Sequence, residues 1–365
     1  MRIPVKISLY MARQFLIWLG IGLLVFIALI FLVDTVEMLR RSASRDVPYS
    51  IILRICFLRL PTLLQQIAPF SFLFGAILCF TKLTRTRELV VTRASGISVW
   101  QFLLPSIGVS MLIGVFVICI FNPLGAMMNA KAEKLEDKYF DADTSLITFS
   151  KSGLWLKQRG ENGEGETLIT ASSISHDSQH FRDLIIFEFD QNKNFTRRID
   201  AREGTLANNE WVLSDAIINK PGTPTEKLDT YRMPTTLSLA QIQDSFNSPD
   251  TISFWALPEF IEELEASGFS AMRHKLYYNS ILTTPVMLAT MVLIAAVFSL
   301  RFSRRGKNGL LITGGIFTGF LFFFISKVTA SIGIAGDMPI VLAAWTPTII
   351  FILIGIWLLL HLEDG

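Results

Sequence analysis

The distribution of hydrophobic and polar residues divides the chain into three parts, because uncharged apolar stretches recur near both ends and not in the middle. A helix of about 20 apolar residues crosses the roughly 30 Å hydrocarbon core of a bilayer. Six stretches approach or exceed that length: residues 15–33, 60–81, 102–121, 276–300, 310–326 and 338–360. The pattern therefore predicts six transmembrane helices, grouped three and three.

The middle segment, residues 129–270, alternates apolar and polar positions over short stretches that turn-forming clusters separate. We predict strands at residues 146–149, 154–157, 168–174, 184–190, 197–206, 211–218 and 230–239, and a helix at 258–266. Such spacing is typical of a small antiparallel sandwich or half-open barrel. The predicted fold is an α+β membrane protein in which this extracytoplasmic antiparallel β domain is inserted between two membrane parts, residues 1–128 and 271–365.

Composition and charge narrow the class of protein further. The chain of 365 residues is 51% hydrophobic and only 18% charged, whereas soluble domains carry about a quarter charged residues. Its net charge of +2 argues against a nucleic-acid-binding protein, which has a strongly basic domain. The three cysteines, Cys56, Cys79 and Cys119, all lie in apolar stretches and therefore do not form a disulfide framework.

Basic residues in the short loops predict the orientation, because they favour the cytoplasmic side. With the N-terminus inside, eleven lysines and arginines lie in cytoplasmic segments and at most six in outer ones. Both termini are therefore predicted to be cytoplasmic, with the β domain on the other side of the membrane.

The loop after the second span, residues 82–96, predicts a short cytoplasmic helix that ends at Gly96. Its candidate contact residues combine charge with an apolar patch: Arg87, Glu88, Leu89, Val90 and Val91. Such a helix is suited to docking in a groove of a soluble partner. The alternative is a positively charged anchor that lies on the lipid headgroups.

Cationic side chains follow the first span and end the fifth. Arg40 and Arg41 match the geometry of an anionic phosphate, and Lys327 adds a third positive charge. The alternatives are a helical pairing of Glu37 with Arg41, and a Lys327 side chain that snorkels to the interface.

Two glycines in the fifth span, Gly315 and Gly319, have the spacing that lets another helix approach closely. The partner helix belongs to this chain or to another subunit. No uncompensated acidic residue lies mid-span, which weakens the case for an ion-coupled carrier.

The sequence contains no recognisable catalytic motif. Gly306-Lys307 follows a predicted membrane helix instead of a strand, and it lacks the glycine that a phosphate-binding loop requires upstream. His176 and His180 have a metal-binding spacing only if they lie on a helix, but the segment reads as a turn. We therefore expect neither a metal nor a cofactor, and a hydrolase in the β domain is disfavoured.

Several segments carry a resemblance to a known family. They are residues 87–96 (RELVVTRASG), 152–155 (SGLW), 267–268 (SG) and 356–360 (IWLLL). Together with the three-plus-three arrangement, they resemble the paired permeases of the bacterial lipopolysaccharide exporter, the LptF/LptG family, and are most similar to its LptG branch. The resemblance extends over the whole chain.

The resemblance implies a non-catalytic permease in the bacterial inner membrane with a periplasmic β-jellyroll. It implies a sister LptF-like permease, an LptC-like single-span protein and two copies of an LptB-like ATPase, which binds the ATP and docks at Glu88. Lipopolysaccharide would enter between helix one of one permease and helix five of the other, and its phosphates would meet Arg40 and Arg41. The chain departs from the family at Asp34, where LptG proteins can carry a lysine.

The free energy of removing acyl chains from a bilayer is consistent with an ATP-driven lipid exporter. Burying one methylene contributes about 0.8 kcal/mol, so withdrawing a chain of about 12 carbons from a bilayer costs roughly 10 kcal/mol. Export therefore needs an energy source and a continuous apolar path, for which Ile185, Phe187 and Phe189 are candidates; an ordinary closed core is the alternative. The alternative function is a permease of another ABC class, for lipoprotein or peptide export or for mechanotransmission.

Overall fold

The computed structural model describes residues 5–363 apart from 44, 46, 141–146, 151–152, 160–164, 175–179, 192–193, 208–209, 236–247, 267–268 and 300–307. The chain divides into two compact units. The transmembrane unit comprises Met1–Glu136, Asp250–Trp255 and Met272–Gly365, and the β unit comprises Asp137–Pro249 and Ala256–Ala271.

The predicted six spans are confirmed, since six helical stretches among the described residues are long and apolar enough to cross a membrane. Three precede the β unit: α1 (Val5–Ser42), α2 (Tyr49–Arg85), and α4 (Val99–Phe116), which continues through a π-helical segment (Val117–Phe121) into α5 (Asn122–Phe140). Three follow it: α7 (Met272–Ser299), α8 (Asn308–Ala335) and α9 (Ile340–Glu363). The short α3 (Glu88–Ala94) connects α2 to α4.

Helix α7 forms the centre of the transmembrane unit. Its most apolar stretch is 67% buried, against 17% for the corresponding stretches of α1 and α8. Gly114 of α4 lets that helix approach α7 closely, because a Cβ atom at this position would lie 2.4 Å from the Pro285 Cα atom. The exposed faces of α1 and α8 are thus left for lipid or for other subunits.

Replacing Gly114 with alanine is expected to destabilise the transmembrane unit. The new methyl group meets the backbone at Pro285, which cannot move aside cheaply, and overpacking of this kind costs about 1–3 kcal/mol. The melting temperature in detergent should therefore fall. Gly108→Ala is the matched control on the same helix, because nothing lies within 4 Å of its added Cβ atom; equal melting temperatures for both variants would contradict the expectation.

The π-helical segment and the first residue of α5 bind residues 254–255 of the transmembrane unit. Within the transmembrane unit, the buried Asn122 amide accepts a hydrogen bond from the Phe254 backbone N–H at 2.9 Å and donates to Gln65 Oε1 at 3.1 Å. The Trp255 indole donates to the Cys119 carbonyl at 3.3 Å. A π-helical turn interrupts the regular hydrogen-bond pattern of an α-helix. In this turn the Cys119 backbone carbonyl accepts the hydrogen bond of the Trp255 indole.

Among its described residues, the β unit has eight antiparallel strands: β1 (Ile147–Ser150), β2 (Gly153–Arg159), β3 (Glu166–Ala171), β4 (Ser173–Ile174), β5 (His180–Phe189), β6 (Phe195–Ala207), β7 (Glu210–Asn219) and β8 (Glu226–Pro234). The order is β1-β2-β3-β5-β6-β7-β8, with β4 also on β5. The predicted antiparallel domain and the short helix α6 (Leu257–Ala266) are thus present. The described strands follow each other as a meander, without the crossover of a jellyroll.

Two boundaries differ from the sequence expectation. Helix α2 continues to Arg85, so the separate short helix predicted at residues 82–96 comprises only Glu88–Ala94. Helix α5 passes through the expected boundary at residue 128, because its charged residues continue a regular helix to Phe140. Charge marks where a chain can leave the bilayer, but it does not end a helix.

Candidate functional site

The first candidate site centres on Glu88 at the start of α3. Arg87 adopts a left-handed backbone conformation with φ of 61°, which separates α2 from α3. The half-buried Glu88 carboxylate accepts two hydrogen bonds: Tyr10 Oη donates to Oε2 at 2.8 Å and Thr86 Oγ1 donates to Oε1 at 2.8 Å. A residue predicted only as a docking charge is therefore also bound to α1, across 78 positions of sequence.

The predicted apolar patch on α3 is not a single surface. Leu89 is 5% exposed and belongs to the transmembrane core, whereas Val91 is 69% exposed. Residues one and two positions apart do not share a helix face, and the Val90 side chain lies outside the described ones. Leu89 thus anchors the helix, while Val91 and the exposed Arg87 remain available to a partner.

Arg40 and Arg41, in the last turn of α1, share one carboxylate. Glu37 Oε1 accepts from Arg40 Nη2 at 2.8 Å and from Arg41 Nε at 3.1 Å, and Arg40 Nε donates to Oε2 at 2.9 Å. The Arg40 and Arg41 side chains nevertheless remain 74% and 53% exposed. The pairing considered from sequence is present, and it leaves one net positive charge on an accessible surface.

Asp34 belongs to a different ion-pair cluster. Its Oδ1 atom lies 3.7 Å from Arg59 Nη1 of α2, which is also 3.3 Å from Glu136 Oε1 of α5. The Asp34 side chain is 13% exposed and its Oδ2 atom is buried without a hydrogen-bond partner. Arg59 is thus shared by Asp34 and Glu136, and Asp34 is part of the contact of α1 with α2 and α5. Sequence reasoning missed Arg59, since nothing local links positions 34 and 59.

Lys327 stands beside an aromatic face that links α8 to α2. Its Nζ atom lies 5.4 Å from the centre of the Phe323 ring, a cation–π contact. The Phe70 ring lies 5.3 Å from Phe320 and 5.7 Å from Phe323. Phe320 and Phe323 are 59% and 41% exposed. Among the described residues, Lys327 thus contacts Phe323 and not the arginine pair.

The same helix contributes to a cavity inside the transmembrane unit. The space of about 250 Å³ lies among α2, α7, α8 and α9, and its lining includes Thr62, Gln65, Lys327 and Asp250. Burial raises the pKa of the Asp250 carboxyl, while Arg59 and a hydrogen bond from Asn129 act in the opposite direction. The cavity is lined by both apolar and polar groups.

The predicted glycine contact is made within the chain. A Cβ atom at Gly319 would lie 2.4 Å from Leu73 of α2, and one at Gly315 would lie 3.1 Å from Ile77 of the same helix. The partner helix that this spacing requires is thus α2, and another subunit is not needed for it.

One face of the β sheet is apolar and enclosed. A cross-strand row joins residues that are each at most 4% exposed, namely Leu156, Ile169, Ile186, Ile199 and Ile218. The next row on that face is polar, because Thr167 pairs with Glu188 and Glu188 pairs with Arg197. Arg197 Nη2 donates to Glu188 Oε1 at 2.8 Å. The enclosed face thus changes from apolar to charged along the strands.

The three candidate path residues lie on the other face. Ile185, Phe187 and Phe189 are half-buried and alternate with the enclosed Leu184 and Ile186. The Arg198 guanidinium lies 5.7 Å from the centre of the Phe187 ring. The structure therefore does not place these three on the enclosed face, where a path shielded from water would run; their role in lipid passage stays a prediction that no finding supports.

The histidines considered for a metal are not brought together by any described contact. His180 is exposed on β5, and His176 lies outside the described residues. Among the residues that the structure describes, no group of three or more histidine, cysteine or acidic side chains is arranged to hold a metal ion.

Comparisons with known proteins identify the family. The profile described as "Lipopolysaccharide export system permease LptF/LptG" matches residues 9–361. The lipopolysaccharide export system permease protein LptG of Haemophilus influenzae is 23% identical over 320 residues, which cover 84% of this chain and 85% of the relative. The same protein of Escherichia coli K12 is 26% identical over 321 residues, 83% of this chain and 84% of the relative. The chain belongs to the LptF/LptG family of lipopolysaccharide export permeases and is most like LptG.

Proposed function

We propose that this permease works in the bacterial inner membrane, where an ATPase dimer that resembles LptB docks at Glu88 and drives lipopolysaccharide export. A sister permease that resembles LptF completes the membrane pair, and a single-span protein that resembles LptC contributes a further helix. The β unit faces the periplasm. The chain itself supplies binding surfaces and motion, and ATP is bound and hydrolysed by the partner.

The observation that carries this proposal is the pairing of cations with exposed apolar surface on α1 and α8. Arg40 and Arg41 end the weakly buried α1, and Lys327 lies at the aromatic face of α8. An anionic glycolipid needs both features at once: guanidinium or ammonium groups for its phosphates, and apolar surface for its acyl chains. The comparisons favour lipopolysaccharide over the cargo of another ABC class.

Beyond the bilayer, the enclosed face of the β sheet suits the acyl chains better than the face first considered. The row through Ile169, Ile186 and Ile199 excludes water, and every methylene kept from water saves about 0.8 kcal/mol. The charged pair of Glu188 and Arg197 on the same face suits the polar end of an amphiphile.

Reversing the outer arginine pair, Arg40→Glu with Arg41→Glu, is expected to weaken lipid capture at α1 about tenfold or more. Each arginine offers a charge-assisted contact, and a hydrogen bond to a charged group contributes about 1.5–3 kcal/mol. The measurement is photo-crosslinking of purified lipopolysaccharide to α1 of the assembled complex in proteoliposomes.

The matched control is the double variant Arg182→Glu with Arg202→Glu, which makes the same change in net charge at exposed positions of the β unit. It should crosslink like the wild type. Glu37→Gln is expected to act in the opposite direction, because the carboxylate that now occupies both guanidinium groups loses its charge. Normal capture by the reversed arginine pair would remove the headgroup role.

A further inference from the structure

We infer that Tyr10 is a positioning residue that transmits the engagement of Glu88 to helix α1. The hydrogen bond between the Tyr10 hydroxyl and the Glu88 carboxylate holds α1 in its resting position. When a basic group of the ATPase takes Glu88, the bond breaks and the start of α1 is released. The inference rests on the proposed docking role of Glu88.

The contacts at Glu88 leave no carboxylate oxygen without a donor. Tyr10 Oη donates to Oε2 and Thr86 Oγ1 donates to Oε1, both at 2.8 Å. The Gln14 side chain donates to the Tyr10 oxygen at 3.2 Å, which orients the hydroxyl group toward Glu88. Thr86 belongs to the same loop as Glu88 and moves with it, whereas Tyr10 belongs to α1; a cation that draws Glu88 toward the partner therefore pulls Oε2 away from the Tyr10 hydroxyl.

Helix α1 is suited to carry this change across the membrane. It runs without interruption from Val5 to Ser42, and its 38 residues span about 57 Å at 1.5 Å per residue. No proline lies within it, so no proline kink absorbs a displacement. Tyr10 lies near its cytoplasmic start, and Arg40 and Arg41 lie at its outer end.

Helix α1 is packed along one face only. Its most apolar stretch is 17% buried, and Tyr10 itself is 41% exposed, whereas Met11, Phe15 and Leu19 on the packed face belong to the core of the transmembrane unit. The cytoplasmic half is held by a second polar contact, since Lys82 Nζ at the end of α2 lies 5.3 Å from the centre of the Trp18 ring. We expect α1 to respond by a small sliding movement against α2, as packed helices do, once these polar contacts change.

The first test compares Tyr10→Phe with the wild type in the complex assembled with its co-expressed partners. The substitution keeps the aromatic ring and removes only the donor. A hydrogen bond to a charged acceptor shifts an equilibrium about tenfold or more, so we expect about tenfold less lipopolysaccharide released per ATP hydrolysed, with ATP hydrolysis itself retained. Tyr49→Phe, an exposed tyrosine at the start of α2, is the control and should match the wild type.

A second readout reports the position of α1 and does not depend on transport. Spin labels carried by unnatural amino acids at the exposed positions Arg13 and Ala94 measure the distance between α1 and α3. In the wild type, a non-hydrolysable ATP analogue should lengthen or broaden that distance. In Tyr10→Phe, the broadened distribution should be present without nucleotide. An identical distribution in all four samples would overturn the inference.

The two proposals fail separately. Unchanged coupling in Glu88→Ala removes the docking role of Glu88, and the inference about Tyr10 falls with it. If Glu88→Ala uncouples ATP hydrolysis from export while Tyr10→Phe has wild-type coupling and wild-type distances, only the link through Tyr10 is wrong.

Discussion

Reversal of the charge at Glu88, Glu88→Arg, is expected to lower lipopolysaccharide export by about tenfold or more while the permease remains folded. The side chain is half-buried at the start of α3 and accepts hydrogen bonds from Tyr10 and Thr86. An arginine accepts neither bond and repels the basic group that we propose on the ATPase. Losing a hydrogen bond to a charged group costs about 1.5–3 kcal/mol of binding free energy. The measurement is lipid release and ATP hydrolysis by the assembled complex in proteoliposomes.

Two further variants separate charge from hydrogen bonding at this position. Glu88→Gln keeps an acceptor for Tyr10 but removes the charge, so it should lose ATPase docking and retain the resting contact with α1. Glu262→Arg makes the same charge reversal at an exposed position of α6 and should export normally. Export by Glu88→Arg at the wild-type rate, in a complex that contains the ATPase, would contradict the coupling role.

Most of the architecture was predictable because each element obeys a local rule. The six spans follow from the length of their apolar stretches, and the structure places a helix at every one of them. The strands follow from alternation and from the turn residues between them. Each of the seven predicted strand segments overlaps an observed strand, and the segment predicted at residues 168–174 divides into β3 and the two-residue β4.

Contacts between distant positions were not predictable in the same way. The sequence places Asp34 next to Glu37, Arg40 and Arg41, yet the structure pairs it with Arg59, 25 positions away. The bond from Tyr10 to Glu88 joins residues 78 positions apart. Such pairs depend on which helices pack together, and a pattern of period 3.6 along one helix carries no information about its neighbours.

The faces of α3 and β5 show a second limit. Three adjacent apolar residues cannot point in one direction on a helix, so Leu89 and Val91 separate into core and surface. On β5 the segment from Leu184 to Phe187 is apolar on both faces, and alternation alone does not say which face is enclosed. Asp183, with φ of 49°, interrupts the alternation. It places the buried Phe181 on the same face as Leu184, three positions away.

Phe181 lies on the enclosed face of the β sheet and is suited to a direct test of lipid passage. Replacing Phe181 with p-azidophenylalanine adds only a small photoreactive group to a ring that is 0% exposed and lies 4.8 Å from the centre of the Trp211 ring. If acyl chains pass along this face, that group should capture lipopolysaccharide when the complex hydrolyses ATP and should capture little without it. The contrast should be close to all-or-none, because chains that leave the bilayer unshielded cost roughly 10 kcal/mol for about 12 carbons.

Phe187 on the same strand is the matched control, since the same replacement there introduces an identical probe on the opposite, half-buried face beside Arg198. Capture at Phe181 alone assigns the path to the row through Ile169, Ile186 and Ile199. Capture at Phe187 alone restores the path first considered for Ile185, Phe187 and Phe189, and it requires that those side chains exchange faces or become covered in the assembled exporter. Capture at neither position during active export excludes this β unit from the lipid path, because an amphiphile with several acyl chains cannot cross the unit without touching one of its two faces.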